Sequence, residues 1–261
     1  RQRGGAVMNS DTGTRDDWFA DAFGALYPVV YARRTAEAAR PEAAFAAERA
    51  GLGPGDTVLD LCCGTGRHAV HLAPRVRSVA GLDYSPALLE LARRRCCGPL
   101  RLVRGDMRRL PFGPVFDVVF NFFTSFGYFL DEGENALAAR EMARVLKPGG
   151  RLFLDHIGAD CAVAGLVPHS ERTEGDFRIV EERSLAGGPE SRRVNKMVTV
   201  LRGGETVGLF METVRLYTPE DLAALFTGAG LAVEALFGDY DGRAPGPDAP
   251  RMMLLCRKGG A

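Results

Sequence analysis

The sequence predicts an α/β chain: a doubly wound, mostly parallel sheet of seven strands, with an antiparallel β insertion. Three observations predict it. Between residues 56 and 156, apolar runs suited to buried strands alternate with amphipathic stretches, the pattern of parallel strands joined by crossover helices. Within that region Val58-Leu59-Asp60-Leu61-Cys62-Cys63-Gly64-Thr65-Gly66 carries an apolar strand into a glycine turn, and Arg67-His68-Ala69-Val70-His71-Leu72-Ala73 then opens a helix. Beyond residue 157 the rhythm breaks into β-rich segments separated by Gly187-Gly188-Pro189 and Gly203-Gly204, which predicts antiparallel strands joined by turns.

The elements follow in order. Trp18 to Ala50 is expected to be helical, with Tyr27 and Tyr31 four apart on one face. Parallel strands are expected at Thr57–Leu61, Ser78–Leu82, Leu100–Arg104, Phe116–Phe120 and Arg151–Asp155. Helices fall between them at Gly66–Leu72, Pro86–Arg95 and Glu134–Val145, the last closed by Lys147-Pro148-Gly149-Gly150 as a stop. Three strands make up the insertion: Phe177–Leu185, Arg192–Leu201 and Thr206–Tyr217. Thr218 with Asp221 forms a near capping box for a late helix, and Leu231–Phe237 and Arg251–Arg257 supply the last strand pair. The expected organisation is thus a helical segment over 1–50, a core over 51–156, an insertion over 157–217 and a completing piece over 218–261. Residues before Met8 read as a tag remnant or extension, with Met8 as the native start.

Composition narrows the function. Acidic and basic residues balance at 33 each, so there is no overall cationic field for a nucleic-acid backbone or an anionic membrane. No apolar run approaches the ~20 residues that span a bilayer, and no signal-peptide core precedes the first helix. A cytoplasmic chain is expected. The six cysteines include the adjacent pairs Cys62-Cys63 and Cys96-Cys97, which lack C-x-x-C spacing. Neighbours on a strand point to opposite faces, so reduced thiols and no metal are expected.

The chemistry concentrates at the strand ends. Gly64 and Gly66 let the backbone approach a ligand without a Cβ in the way, and free N–H groups at the helix start favour a carboxylate or phosphate. The strand Val79-Ala80-Gly81-Leu82 ends in Asp83, placed to accept hydrogen bonds from a ribose diol. Its other possible task, capping the next helix, is open to Ser85. This is a nucleoside site. A dinucleotide fingerprint would place glycine where Ala69 stands. Cys63, Asp83, Asp106 and Asn121 end four successive strands, where open α/β sheets bind their ligands.

Asp60 to His68 resembles the first motif of the class I S-adenosylmethionine (SAM)-dependent methyltransferases. Gly81-Leu82-Asp83-Tyr84-Ser85 is similar to their second motif, Gly105-Asp106-Met107-Arg108 to the third, and Phe116-Asp117-Val118-Val119-Phe120-Asn121 to the fourth. Val145-Leu146-Lys147-Pro148-Gly149-Gly150 resembles the turn before their fifth strand. The resemblance covers residues 56 to 156 and implies a Rossmann-like fold with SAM as cofactor. It places Cys63, Gly64, Gly66, Asp83 and Tyr84 against the nucleoside and Asp106 with Met107 at the adenine. Asn121 and Phe122 then lie near the sulfonium, with Phe123 toward the acceptor. Asn121-Phe122-Phe123-Thr124 lacks the prolines carried by enzymes that methylate nucleic-acid amino groups, which argues against DNA or RNA.

The N-terminal run resembles that of amino-sugar N-methyltransferases and related antibiotic-tailoring enzymes, whose first helix folds over bound SAM. That resemblance puts Tyr27 at the cofactor. It puts Phe19 where those enzymes have a tyrosine near the substrate. Candidates for a general base are Tyr128, where those enzymes carry histidine, and His156 at the end of the fifth strand. A phenol with pKa near ~10 is a poor base, so orientation suits Tyr128 better. The implied activity is methyl transfer from SAM to a small molecule, with an amine nitrogen in natural-product biosynthesis first and oxygen or carbon open. The insertion is expected to act as a lid over the acceptor or as a homo-oligomer contact. Rival readings are a SAM-binding protein without transfer activity, an NAD-dependent oxidoreductase and a nucleic-acid methyltransferase.

Overall fold

A computed structural model describes residues 17–95 and 100–260. Met8, the residues before it and the Cys96-Cys97 pair lie outside the described residues. The chain begins with two short helices, α1 (Phe19–Ala22) and α2 (Tyr27–Val30), and a longer α3 (Ala36–Arg49). The expected helical segment is therefore broken in two places. Thr35 starts α3 as an N-cap, its side chain accepting from Ala38 N–H at 3.1 Å.

The core alternates β1 (Thr57–Leu61), α4 (Ala69–Leu72), β2 (Ser78–Asp83), α5 (Pro86–Arg95), β3 (Leu100–Arg104), β4 (Phe116–Asn121), α6 (Glu132–Val145) and β5 (Leu146–Ile157). A short α7 (Ala159–Ala164) leads to the insertion strands β6 (His169–Glu174), β7 (Phe177–Ala186), β8 (Arg193–Arg202) and β9 (Glu205–Arg215). The chain ends with α8 (Pro219–Gly228), β10 (Leu231–Phe237) and β11 (Arg251–Lys258). The main sheet has the order β10-β11-β5-β4-β1-β2-β3. Its neighbours from β5 to β3 are parallel, and β11 is antiparallel to both β5 and β10.

Strand alternation sorts the two faces. Val58, Val118, Phe120 and Phe153 pack with Ala43, Phe45, Ala46 and Leu72 from α3 and α4. Leu59, Leu61, Val119, Leu152 and Leu154 face α6, α8 and the insertion sheet. Reversal of order between β1 and β4 opens a crevice at the carboxyl ends of the strands, where a ligand fits.

Two expectations change. The insertion is a four-stranded antiparallel sheet, β6-β7-β8-β9, and not three-stranded. The extra strand, His169-Ser170-Glu171-Arg172-Thr173-Glu174, is a polar edge without apolar alternation, so periodicity passes over it. The expected stop at Lys147–Gly150 lies inside β5, whose register against β4 jumps from Phe116↔Leu146 to Val118↔Arg151. Gly149, at φ 78°, lets the chain bulge there and still pair on both sides. The capping box is present as read: Thr218 accepts from Asp221 N–H at 3.1 Å, and Asp221 accepts from Thr218 N–H at 3.2 Å. No described helix is long and apolar enough to cross a membrane.

Candidate active site

A cavity open to solvent at its mouth lies over the carboxyl ends of β1, β2 and β4. The β1–α4 turn supplies its floor through Cys62, Cys63, Gly64 and Thr65. Gly64 has φ 54°, a conformation free of penalty only for glycine. Cys62 adopts φ 60° beside it, over Asn121, whose side-chain amide donates to Leu61 O at 3.1 Å. The sheet is tight beneath: a Cβ on Gly81 would lie 3.0 Å from Cys63 Sγ.

Asp83 closes one end. It is 8% exposed, and each oxygen accepts one backbone N–H at 2.8 Å, Oδ2 from Gly64 and Oδ1 from Ser85. Ser85 caps α5 by accepting from Leu88 N–H at 3.2 Å. Asp83 is thus spared the capping task and faces the cavity. Burial pushes its carboxyl above the usual range, and the N–H groups of Ser85 and Gly64 pull it back. Two O–H donors would further favour the charged form. Next along the rim, Met107 is buried against the cavity. Asp106 lies there with its carboxylate gripped by Arg108, Nη2 to Oδ2 at 2.6 Å.

Aromatic side chains wall the rest. Phe19 meets Tyr84 edge to face at 5.2 Å between ring centres, and Phe23 stacks on Tyr128 at 5.5 Å. Phe122 stacks on His68 at 4.0 Å. Tyr27 and Phe123 add to the surface, with the half-buried Arg34 and the buried Arg67. Glu42, from α3, anchors two of these groups: Oε2 accepts from Arg67 Nη1 at 2.7 Å and meets His68 Nε2 at 2.7 Å.

A family model described as a methyltransferase domain matches residues 58–150. A dTDP-3-amino-3,6-dideoxy-alpha-D-glucopyranose N,N-dimethyltransferase from Streptomyces fradiae is 31% identical over 203 residues, covering 72% of this chain and 74% of that protein. The cypemycin N-terminal methyltransferase of a Streptomyces species is 31% identical over 210 residues, covering 77% and 82%. This chain belongs to the class I SAM-dependent methyltransferases. Among solved structures, SAM-bound CalS10, an amino pentose methyltransferase from Micromonospora echinaspora, matches with a TM-score of 0.67 at 26% identity, covering 89% of this chain and 96% of that one.

SAM is the cofactor of this methyltransferase, and the cavity fits it. The buried Asp83 oxygens suit a diol, the Gly64 turn admits a close backbone approach, and Arg34 and Arg67 offer cations to a carboxylate. Arg67 Nη2 is buried without a hydrogen-bond partner among the described residues, a donor that a ligand would satisfy.

Of the residues singled out in the sequence, Phe19, Tyr27, Cys63, Gly64, Asp83, Tyr84, Asp106, Met107, Phe122, Phe123 and Tyr128 line this cavity together. Gly66, Asn121 and His156 do not. Gly66 turns the chain behind the floor at φ 72°, and Asn121 braces Cys62 from below. His156 has no exposed surface. It packs edge to face on Tyr217 at 5.7 Å, its Nδ1 3.0 Å from the Ile157 carbonyl. A strand end fixes the rim but not the face, and His156 points into the layer below the insertion sheet. No insertion residue is on the cavity wall either. That sheet backs α1 and α2, where Tyr31 and Lys196 join Glu212 in a half-buried cluster.

Burial lowers the His156 pKa to about 4 against the pull of the Ile157 carbonyl. An unfolded chain binds this proton below about 6.5 and the folded one does not, so stability falls as pH drops from about 6.5 to about 4. Urea unfolding should show wild type losing about 3 kcal/mol more than His156→Gln between neutrality and that lower limit. Equal losses would assign the imidazole an ordinary pKa.

Sequence reading missed Arg34, Arg67, His68 and Glu42. The signal for Arg34 is its place seven residues after Tyr27, but the helix break before α3 is what brings it to the cavity.

Proposed function

We propose that this enzyme methylates an amine nitrogen on a small-molecule acceptor. The observation that carries the reading is an aromatic cavity wall, Phe122, Phe123 and Tyr128, placed opposite the Asp83 cradle. The relatives support it, since those described act by name on amino sugars or on a peptide N-terminus.

Bound SAM supplies a methyl group on a sulfonium. Asp83 would hold the ribose, Tyr84, Asp106 and Met107 would border the adenine, and Arg34 with Tyr27 would take the amino-acid end. Phe122 and Phe123 exclude water from the site. Tyr128 orients the acceptor, because burial raises its phenol well above the usual value. His68, the imidazole on the wall, is lowered by burial to about 4, with Glu42 opposing.

Neither group takes a proton from an ammonium near neutrality. The acceptor therefore sheds its proton on entering the apolar cavity, and kcat/KM should rise with pH, about tenfold per unit, up to the pKa of the amine itself. A plateau beginning near pH 6 to 7 would instead reveal a base in the protein.

The test is incubation with methyl-labelled SAM and a panel of amino sugars, small alkylamines, peptide N-termini and phenols, read by mass spectrometry. Label on nitrogen supports the proposal. Label confined to oxygen or carbon, or transfer to none of the panel, contradicts it.

A cytoplasmic location and a homo-oligomer through the insertion also belong to this reading. Exposed Val207 and Leu209 on the edge strand β9 support the latter.

A further inference from the structure

Asp155, on β5, is a fully buried carboxylate. Just after β4 the chain turns through Phe123 (φ 58°) and Thr124 (φ 61°), two successive left-handed residues of which neither is glycine. For an aromatic followed by a β-branched residue this conformation is disfavoured, and it persists only where the surroundings impose it.

Asp155 imposes it. Phe123 N–H donates to Oδ2 at 2.8 Å, and Thr124 N–H donates to the Asp155 carbonyl at 2.8 Å. The Tyr240 hydroxyl donates to the same Oδ2 at 2.6 Å. Arg251 grips Oδ1 through Nε at 2.7 Å and Nη2 at 2.5 Å, and Nη2 also donates to Thr124 Oγ1 at 3.1 Å. A carboxylate on β5, an arginine on β11 and a tyrosine after β10 thus converge on one two-residue turn. The ring that this turn presents is part of the cavity wall. The guanidinium carbons of Arg34, Arg67 and Arg251 stand 4.5, 4.6 and 4.9 Å from its centre.

We propose that Asp155 is a positioning residue for the donor site. It locks the Phe123–Thr124 turn left-handed, which holds the Phe123 ring on the wall and, through the ring, sets the cavity-facing Arg34 and Arg67. The inference rests on reading the cavity as the SAM site. A carboxylate is required because both oxygens accept from donors; in asparagine the amide N–H₂ would face one of them.

The test titrates the full chain with S-adenosylhomocysteine by calorimetry, as wild type, Asp155→Asn and Asp155→Asn with Thr124→Gly. Thermal unfolding and amide hydrogen exchange are followed in parallel. Wild type should bind, and its Phe123 and Thr124 amides should be protected before ligand is added. Asp155→Asn should bind at least about tenfold more weakly. The double variant should recover much of that loss, because glycine adopts the left-handed conformation freely. An Asp155 that only stabilised the fold would lower Tm and leave the affinity of the folded protein unchanged. That result, or fast exchange of both amides in wild type, overturns the proposal. If Asp155→Asn does not fold, the wild-type exchange decides: slow supports, fast overturns. Failure of wild type to bind would contradict the donor-site reading itself, before any substitution is compared.

Discussion

Asp83→Asn should weaken S-adenosylhomocysteine binding by roughly 100- to 10,000-fold. Each Asp83 oxygen already accepts one backbone N–H at 2.8 Å and has capacity for one ligand O–H. The substitution turns one oxygen into a donor, which then faces a backbone N–H and a ribose hydroxyl together. Two charge-assisted hydrogen bonds, worth about 1.5–3 kcal/mol each, are lost or weakened. Because the same carboxylate fastens the Gly64 turn to the start of α5, part of the loss comes from a loosened floor. Calorimetry measures the affinity, and a thermal scan of the free protein shows whether the fold survives. An affinity within threefold of wild type would remove Asp83 from the ligand.

Glu42→Gln should strongly destabilise the fold. The side chains of Arg67 and His68 are 8% and 5% exposed and share Glu42 Oε2, so one carboxylate neutralises a buried cation and orients a buried imidazole. Burial raises the Glu42 carboxyl, but the His68 hydrogen bond and the Arg67 charge outweigh it and leave the pKa below normal. The stability this contributes is present above the unfolded value of about 4.3 and is lost as pH falls through the lower folded one. Removing one partner of a buried pair strands the other charge and costs about 3–5 kcal/mol. For a chain of this size that lowers Tm by about 10 °C. Cofactor affinity should fall as well, since Arg67 and His68 form cavity wall. An unchanged Tm would mean that water reaches Arg67 and solvates it.

The parallel core was legible in the sequence because local signals there agree with the fold. β1 reads as an apolar run, Gly64 marks a turn that takes a left-handed residue, and Asp83 stands at a strand end. What escaped was set by long-range contact. Arg34 reaches the cavity because the chain breaks between α2 and α3. His68 was passed over because its partner Glu42 lies 26 residues away on another helix. The strand His169–Glu174 has no apolar face to announce it. His156 shows the limit of strand-end logic. The position placed it near the rim, but period-two alternation turns it from the site while Asp155 points at the Phe123 turn.

Calorimetric titration of the wild-type chain decides whether the crevice over β1, β2 and β4 is a donor site for methyl transfer. SAM, S-adenosylhomocysteine and NADH are titrated in turn. One-to-one binding of the two sulfur nucleosides and none of NADH is the expected result. Binding of NADH alone would contradict it and return the chain to the dinucleotide-binding oxidoreductases.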